Sequence, residues 1–102
     1  MKLVAVILLA AVIVLFTVVT QASTVQVSIK DFKYAPAQIT IHKGDTVTWT
    51  NLDPVGHDVT FSNSASPTLK TNESYSKTFN QTGTFDYICS IHPYMKGTVI
   101  VK

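Results

Sequence analysis

Lys43-Gly44-Asp45-Thr46-Val47-Thr48-Trp49-Thr50 is a turn signal followed by a strict alternation. Gly44 and Asp45 punctuate the chain. From Thr46 the small polar residues take one face while Val47 and Trp49 take the other, the period of two that marks a half-buried strand. Working outward, the same period returns. On the N-terminal side Ile39 and Ile41 alternate with Thr40 and His42, and Val25, Val27 and Ile29 alternate with Gln26, Ser28 and Lys30. Asp31-Phe32-Lys33-Tyr34-Ala35-Pro36 breaks the pattern between them, since Pro36 lacks a backbone donor. On the C-terminal side residues 51–56 read as a loop and residues 57–61 as a short strand with Val59 and Phe61 on one face. Residues 62–72 are polar, contain Pro67 and read as a surface loop. Tyr75, Lys77 and Phe79 share a strand face, opposite Ser74, Ser76 and Thr78. Asn80-Gln81-Thr82-Gly83 is a turn, residues 84–88 form a strand, and residues 97–101 close the chain with Val99 and Val101 alternating. No stretch has helical periodicity of useful length. About seven to eight short strands separated by turns predict an all-β sandwich of two sheets.

A chain of 102 residues holds one domain at most. Its start is of another kind. After Met1-Lys2 comes an uncharged apolar run, residues 3–19, and then Thr20-Gln21-Ala22-Ser23. This reads as an export signal cleaved after Ala22, or as a membrane anchor formed by residues 3–19; the run's length lies between the two. Either reading places residues 23–102 outside the cytoplasm, in the periplasm or on the outer face of the cytoplasmic membrane. Eight lysines face six acidic residues, with no arginine and no basic run. Nucleic acid is therefore not an expected partner, because such affinity rests on clustered phosphate contacts. The single cysteine cannot form an internal disulfide, which leaves intermolecular pairing, chance or chemistry to account for it in an exported chain.

Tyr87-Ile88-Cys89-Ser90-Ile91-His92-Pro93-Tyr94-Met95-Lys96-Gly97 points to chemistry. Cys89, His92 and Met95 stand at three-residue intervals in this stretch. Thiolate, imidazole and thioether together select copper over harder metals, and two histidines, one cysteine and a weak axial methionine make the blue-copper set. Zinc would favour a second thiolate, a third imidazole or a carboxylate. The remaining histidine must come from elsewhere. His42 lies in an alternating strand pattern that points it outward. His57 follows the turn-forming Asp53-Pro54-Val55-Gly56 and is the expected fourth ligand.

These residues carry a resemblance. Gly44-Asp45-Thr46-Val47-Thr48-Trp49-Thr50-Asn51, then His57-Asp58-Val59-Thr60-Phe61, then the stretch from Gly83 through Cys89, His92 and Met95 to Val99 resemble the cupredoxins, within them the amicyanin and plastocyanin group. The short spacing between His92 and Met95 is amicyanin-like. The resemblance implies a two-sheet Greek-key sandwich over residues 23–102. It implies one type 1 copper ion on His57, Cys89, His92 and Met95, and one-electron transfer between redox proteins that dock transiently near His92. Pro54, Val55, Pro93 and Tyr94 would form the apolar docking surface of a monomer. Asp58 stands where the family often has Asn, and it is expected to tie the two ligand loops together through Ser90. Gly56 resembles the azurin position whose carbonyl approaches the metal as a weak extra ligand. Copper delivery or storage is the alternative reading. Catalysis is not expected, because copper enzymes need further histidine-rich centres and only His42 is left over.

Overall fold

The computed structural model describes residues 10–17 and 21–102. Of the expected leader, residues 1–9 and 18–20 lie outside them. Among the described residues no helix is long and apolar enough to cross a membrane. Seven strands follow: β1 (Thr24–Lys30), β2 (Lys33–Ala35), β3 (Gln38–Ile41), β4 (Thr46–Asn51), β5 (Ser74–Thr78), β6 (Gly83–Ile88) and β7 (Lys96–Val101). They form two sheets, ordered β2-β1-β4-β5 and β3-β7-β6.

Alternation becomes packing through the register. β1 and β4 run parallel, with Val25 beside Val47 and Val27 beside Trp49. β3 and β7 also run parallel, pairing Ile39 with Val99 and Ile41 with Val101. The apolar faces of both sheets therefore meet, and Val27, Ile29, Val47 and Trp49 pack with Ile39, Ile41, Val99 and Val101 in one core. On the outer face of β4 and β5 the polar residues pair as hydroxyls: Thr46 with Thr78 and Thr48 with Ser76 at 2.7 Å, and Thr50 with Ser74 at 2.8 Å. Trp49 is fully buried, edge-on to Tyr87 with ring centroids 5.4 Å apart and stacked on Tyr75 at 6.0 Å. Tyr87 lies over Gly97, its cross-strand partner, where a Cβ would overlap the tyrosine ring.

Three readings of the sequence are corrected. Residues 57–61 are not a strand. Their backbone changes partner along its length, from Leu69 at His57 to Ile88 at Thr60, so isolated bridges form instead of a ladder. Val59 and Phe61 are nevertheless both buried. Residues 62–72 are not wholly surface, because Leu69 and Ser66 are buried and bind the backbone of His57 and Val59. The break at residues 31–36 contains β2, which pairs antiparallel with β1 across a two-residue turn. Both turn residues have positive φ, 53° at Asp31 and 55° at Phe32. That is the backbone twist a tight hairpin requires, though Asn-Gly usually supplies it.

Candidate metal centre

Three segments converge at one end of the sandwich. His57 follows the loop after β4, Cys89 directly follows β6, and His92 and Met95 sit in the turn that enters β7. That turn is closed by its own backbone: Cys89 N–H donates to the Met95 carbonyl at 3.2 Å, and Met95 N–H to the His92 carbonyl at 2.9 Å. The short spacing of the three residues thus becomes a compact arc. His57 and Cys89 are fully buried, Met95 is buried, and His92 is half-buried.

The structure brings His57, Cys89 and His92 together. The two Nδ1 atoms are 3.1 Å apart, and Cys89 Sγ lies 3.8 Å from that of His57 and 3.7 Å from that of His92. These are the edges of a triangle that accommodates an ion with metal–nitrogen bonds of about 2.0–2.1 Å and a metal–thiolate bond of about 2.3 Å. A His₂Cys trigonal set with a methionine nearby suits copper. His42 is not part of the group. It is exposed at the β3–β4 turn, where its N–H donates to Asp45 Oδ2 at 2.9 Å.

A second layer orients the first. His57 Nε2 lies 2.8 Å from Asp53 Oδ2. The ionised carboxylate can only accept, so Nε2 carries the proton and Nδ1 turns its lone pair toward Cys89 and His92, the usual outer-shell arrangement for a metal-binding histidine. The Asp53 carboxylate also accepts from Asp31 N–H at 2.7 Å and Phe32 N–H at 2.9 Å. Burial works to raise its pKa, but the hydrogen bonds from Phe32, His57 and Asp31 outweigh it and hold the carboxyl below the usual range. The turn so anchored sets the Phe32 ring edge-on to both imidazoles, 5.1 Å from His57 and 5.0 Å from His92.

Asp58 works on the other side. Its carboxylate accepts from Ser90 N–H at 2.8 Å, from the Ser90 hydroxyl, and from the Thr60 hydroxyl at 2.8 Å. The segment holding His57 is thereby joined to the segment holding Cys89. Tyr34 donates its hydroxyl to the Asp58 carbonyl at 2.5 Å. Burial pushes the Tyr34 phenol well above its ordinary value, with Cys89, Tyr87 and Asp58 adding to it, so the hydroxyl keeps its proton. Gly56 packs closely on Thr68, where a Cβ would come within 2.8 Å of the threonine methyl. Pro54, Val55, Pro93 and Tyr94 are all exposed, Tyr94 at 68 %. Phe32, Leu52 and Ile91 are exposed apolar residues as well.

Sequence reasoning missed Asp53 and Phe32. Asp53 stood among turn-forming residues, and the one signal available was its position four residues before His57. Phe32 stood in the break between strands, where an aromatic residue flanked by charges was the signal.

Residues 21–102 match the family described as copper binding proteins, plastocyanin/azurin family. The chain is 39 % identical over 88 residues to amicyanin-alpha of Methylorubrum extorquens, covering 79 % of this chain and 74 % of that one. It is 37 % identical over 83 residues to amicyanin of Paracoccus denitrificans, covering 74 % of this chain and 63 % of that one. A solved copper(I) amicyanin variant superposes with a TM-score of 0.73 at 36 % identity, over 78 % of this chain and 82 % of that one. A purple cupredoxin from Nitrosopumilus maritimus gives 0.72 at 31 % identity, over 76 % of this chain and 99 % of that one. With its two-sheet fold and its His-Cys-His group alongside these matches, the chain belongs to the plastocyanin/azurin family of copper-binding proteins.

Proposed function

We propose that this chain is a one-electron carrier whose single type 1 copper ion would be held by His57, Cys89 and His92, with Met95 as a further, weak ligand. The observation that carries the reading is the triangle of two Nδ1 atoms and one Sγ, with edges of 3.1, 3.7 and 3.8 Å, at one end of a rigid sandwich. Copper supplies a Cu(II)/Cu(I) couple when bound. The residues around it keep the donor set still. Asp53 fixes the His57 ring, Asp58 joins the two ligand-bearing segments, and the backbone bonds among Cys89, His92 and Met95 fix the arc. Little rearrangement then accompanies a change of charge. Cys89 would provide the thiolate for electronic coupling, and the Gly56 carbonyl would be a weak extra contact.

His92 is the electron exit. Its ring is half-buried, between Phe32 and Tyr94, whose centroids lie 5.0 and 6.2 Å away. Pro54, Val55, Pro93 and Tyr94 form the apolar docking surface, where a reduced redox protein delivers one electron and an oxidised one removes it. Redox encounters of this kind are small and brief. The carrier acts as a monomer without catalysis of its own. It is exported, either cleaved after Ala22 or anchored through residues 3–19.

Adding Cu(II) to the purified protein tests this. One copper per chain is expected to produce intense absorption toward the red end of the visible range, and Cys89→Ser to abolish it. A colourless Cu(II) complex would overturn the carrier reading and favour copper delivery or storage.

A further inference from the structure

We propose that the buried carboxylates of Asp53 and Asp58 set this centre to a low reduction potential. The inference rests on the carrier reading above and says how this particular chain tunes it. Both side chains are almost fully enclosed, Asp53 at 4 % exposure and Asp58 at 5 %, and they bracket the fully buried His57.

Each is held by donors alone. Asp53 receives Asp31 N–H, Phe32 N–H and His57 Nε2–H. Asp58 receives Ser90 N–H, the Ser90 hydroxyl and the Thr60 hydroxyl. At every one of these contacts the hydrogen comes from the partner, so each carboxylate serves as acceptor alone. Among the described residues no lysine forms an ion pair with either carboxylate; the close basic neighbour is the neutral His57 ring, whose Nε2–H donates to Asp53.

The consequence is electrostatic. An arriving electron lowers the charge of the metal group by one unit, and nothing else changes hands. Two fixed negative charges repel that electron, and in a buried site the repulsion is poorly screened. The hydrogen bond from His57 to Asp53 also makes the imidazole a stronger donor, which favours the more highly charged oxidised ion. The two aspartates therefore act together, one through His57 and the other beside Cys89.

Voltammetry of the copper-loaded protein tests it. Asp58→Asn keeps the shape of the side chain and removes its charge; Asp53→Asn does the same on the other side. Each is expected to raise the midpoint potential, and the double variant to raise it further. Glu73→Gln, which removes the same charge from an exposed side chain, is expected to leave it in place. Where Asp53→Asn fails to fold, Asp58→Asn alone decides. Midpoints that match Glu73→Gln, with the red absorption intact, would overturn the inference while leaving the carrier reading standing. Absence of that absorption in the parent would overturn both.

Discussion

The Asp53 carboxylate accepts three hydrogen bonds, two from the Asp31–Phe32 turn and one from His57, and so ties that turn to the imidazole. Asp53→Ala removes the acceptor that fixes which ring nitrogen of His57 is free. Copper affinity is expected to fall about 10–100-fold, the usual cost of losing such an outer-shell partner, as read by competition with a chelator. Gly97 presents the opposite case, a residue defined by what it lacks. Gly97→Ala puts a methyl group into the space of the Tyr87 ring. Overpacking of this kind costs about 1–3 kcal/mol, measurable as a lower midpoint in denaturant with an unchanged slope. That Cys89 and His92 stand together was legible from their three-residue spacing, and the structure brings them beside His57. Asp53 was not, because an aspartate in a run of turn residues reads equally as a solvated turn or a buried acceptor. Only the fold of residues 31–32 over it decides.

At the scale of elements, the β1–β2 turn places a bulky side chain where the left-handed backbone usually demands glycine or asparagine. Such strain costs on the order of 1–3 kcal/mol, offset here by the Asp53 carboxylate and by the edge contacts of Phe32 with both imidazoles. Phe32→Gly relieves the backbone but uncovers the rings. Copper loss to a chelator is expected to accelerate while unfolding in denaturant shifts little; an unchanged release rate would show that the ring does not shield the site. The β3–β4 turn carries a second constraint. Asp45 accepts Ser23 N–H at 2.8 Å and His42 N–H at 2.9 Å, and these bonds hold its carboxyl below the usual carboxylate range. Its folded pKa is thus below its unfolded value, so its contribution to stability is present above about pH 4. That contribution is lost as pH falls through the folded value. Asp45→Asn is expected to flatten the decline in melting temperature below about pH 4 relative to the parent. Strands with one buried face, such as β1, β3, β4 and β7, were legible from alternation alone. Residues 57–61 alternate equally well but have no neighbour that stays beside them, and β2 is too short to show a period.

At the scale of the molecule, the strands from Thr24 to Val101 form a small sandwich with a candidate metal centre at one end. Its class was legible, because short alternating segments without helical periodicity admit few alternatives. The parallel pairings β1–β4 and β3–β7 were not, since they depend on which strands meet across the chain rather than on any one of them. The donors of His57, Cys89 and His92 come together only in the fold, so copper should stabilise it by binding the folded state alone. Free copper at 100 times its dissociation constant adds about 2.7 kcal/mol. Stripping the metal with a chelator is expected to lower the melting temperature, and restoring it to raise it in a concentration-dependent way. X-ray absorption at the copper edge, on oxidised and reduced protein, bears most directly on the proposal that one copper ion sits among His57, Cys89 and His92 and passes one electron without rearrangement. One short sulfur and two nitrogens are expected around the copper, with the same shell kept in both states. A shell of nitrogen and oxygen without a short sulfur, or one rebuilt on reduction, would contradict it.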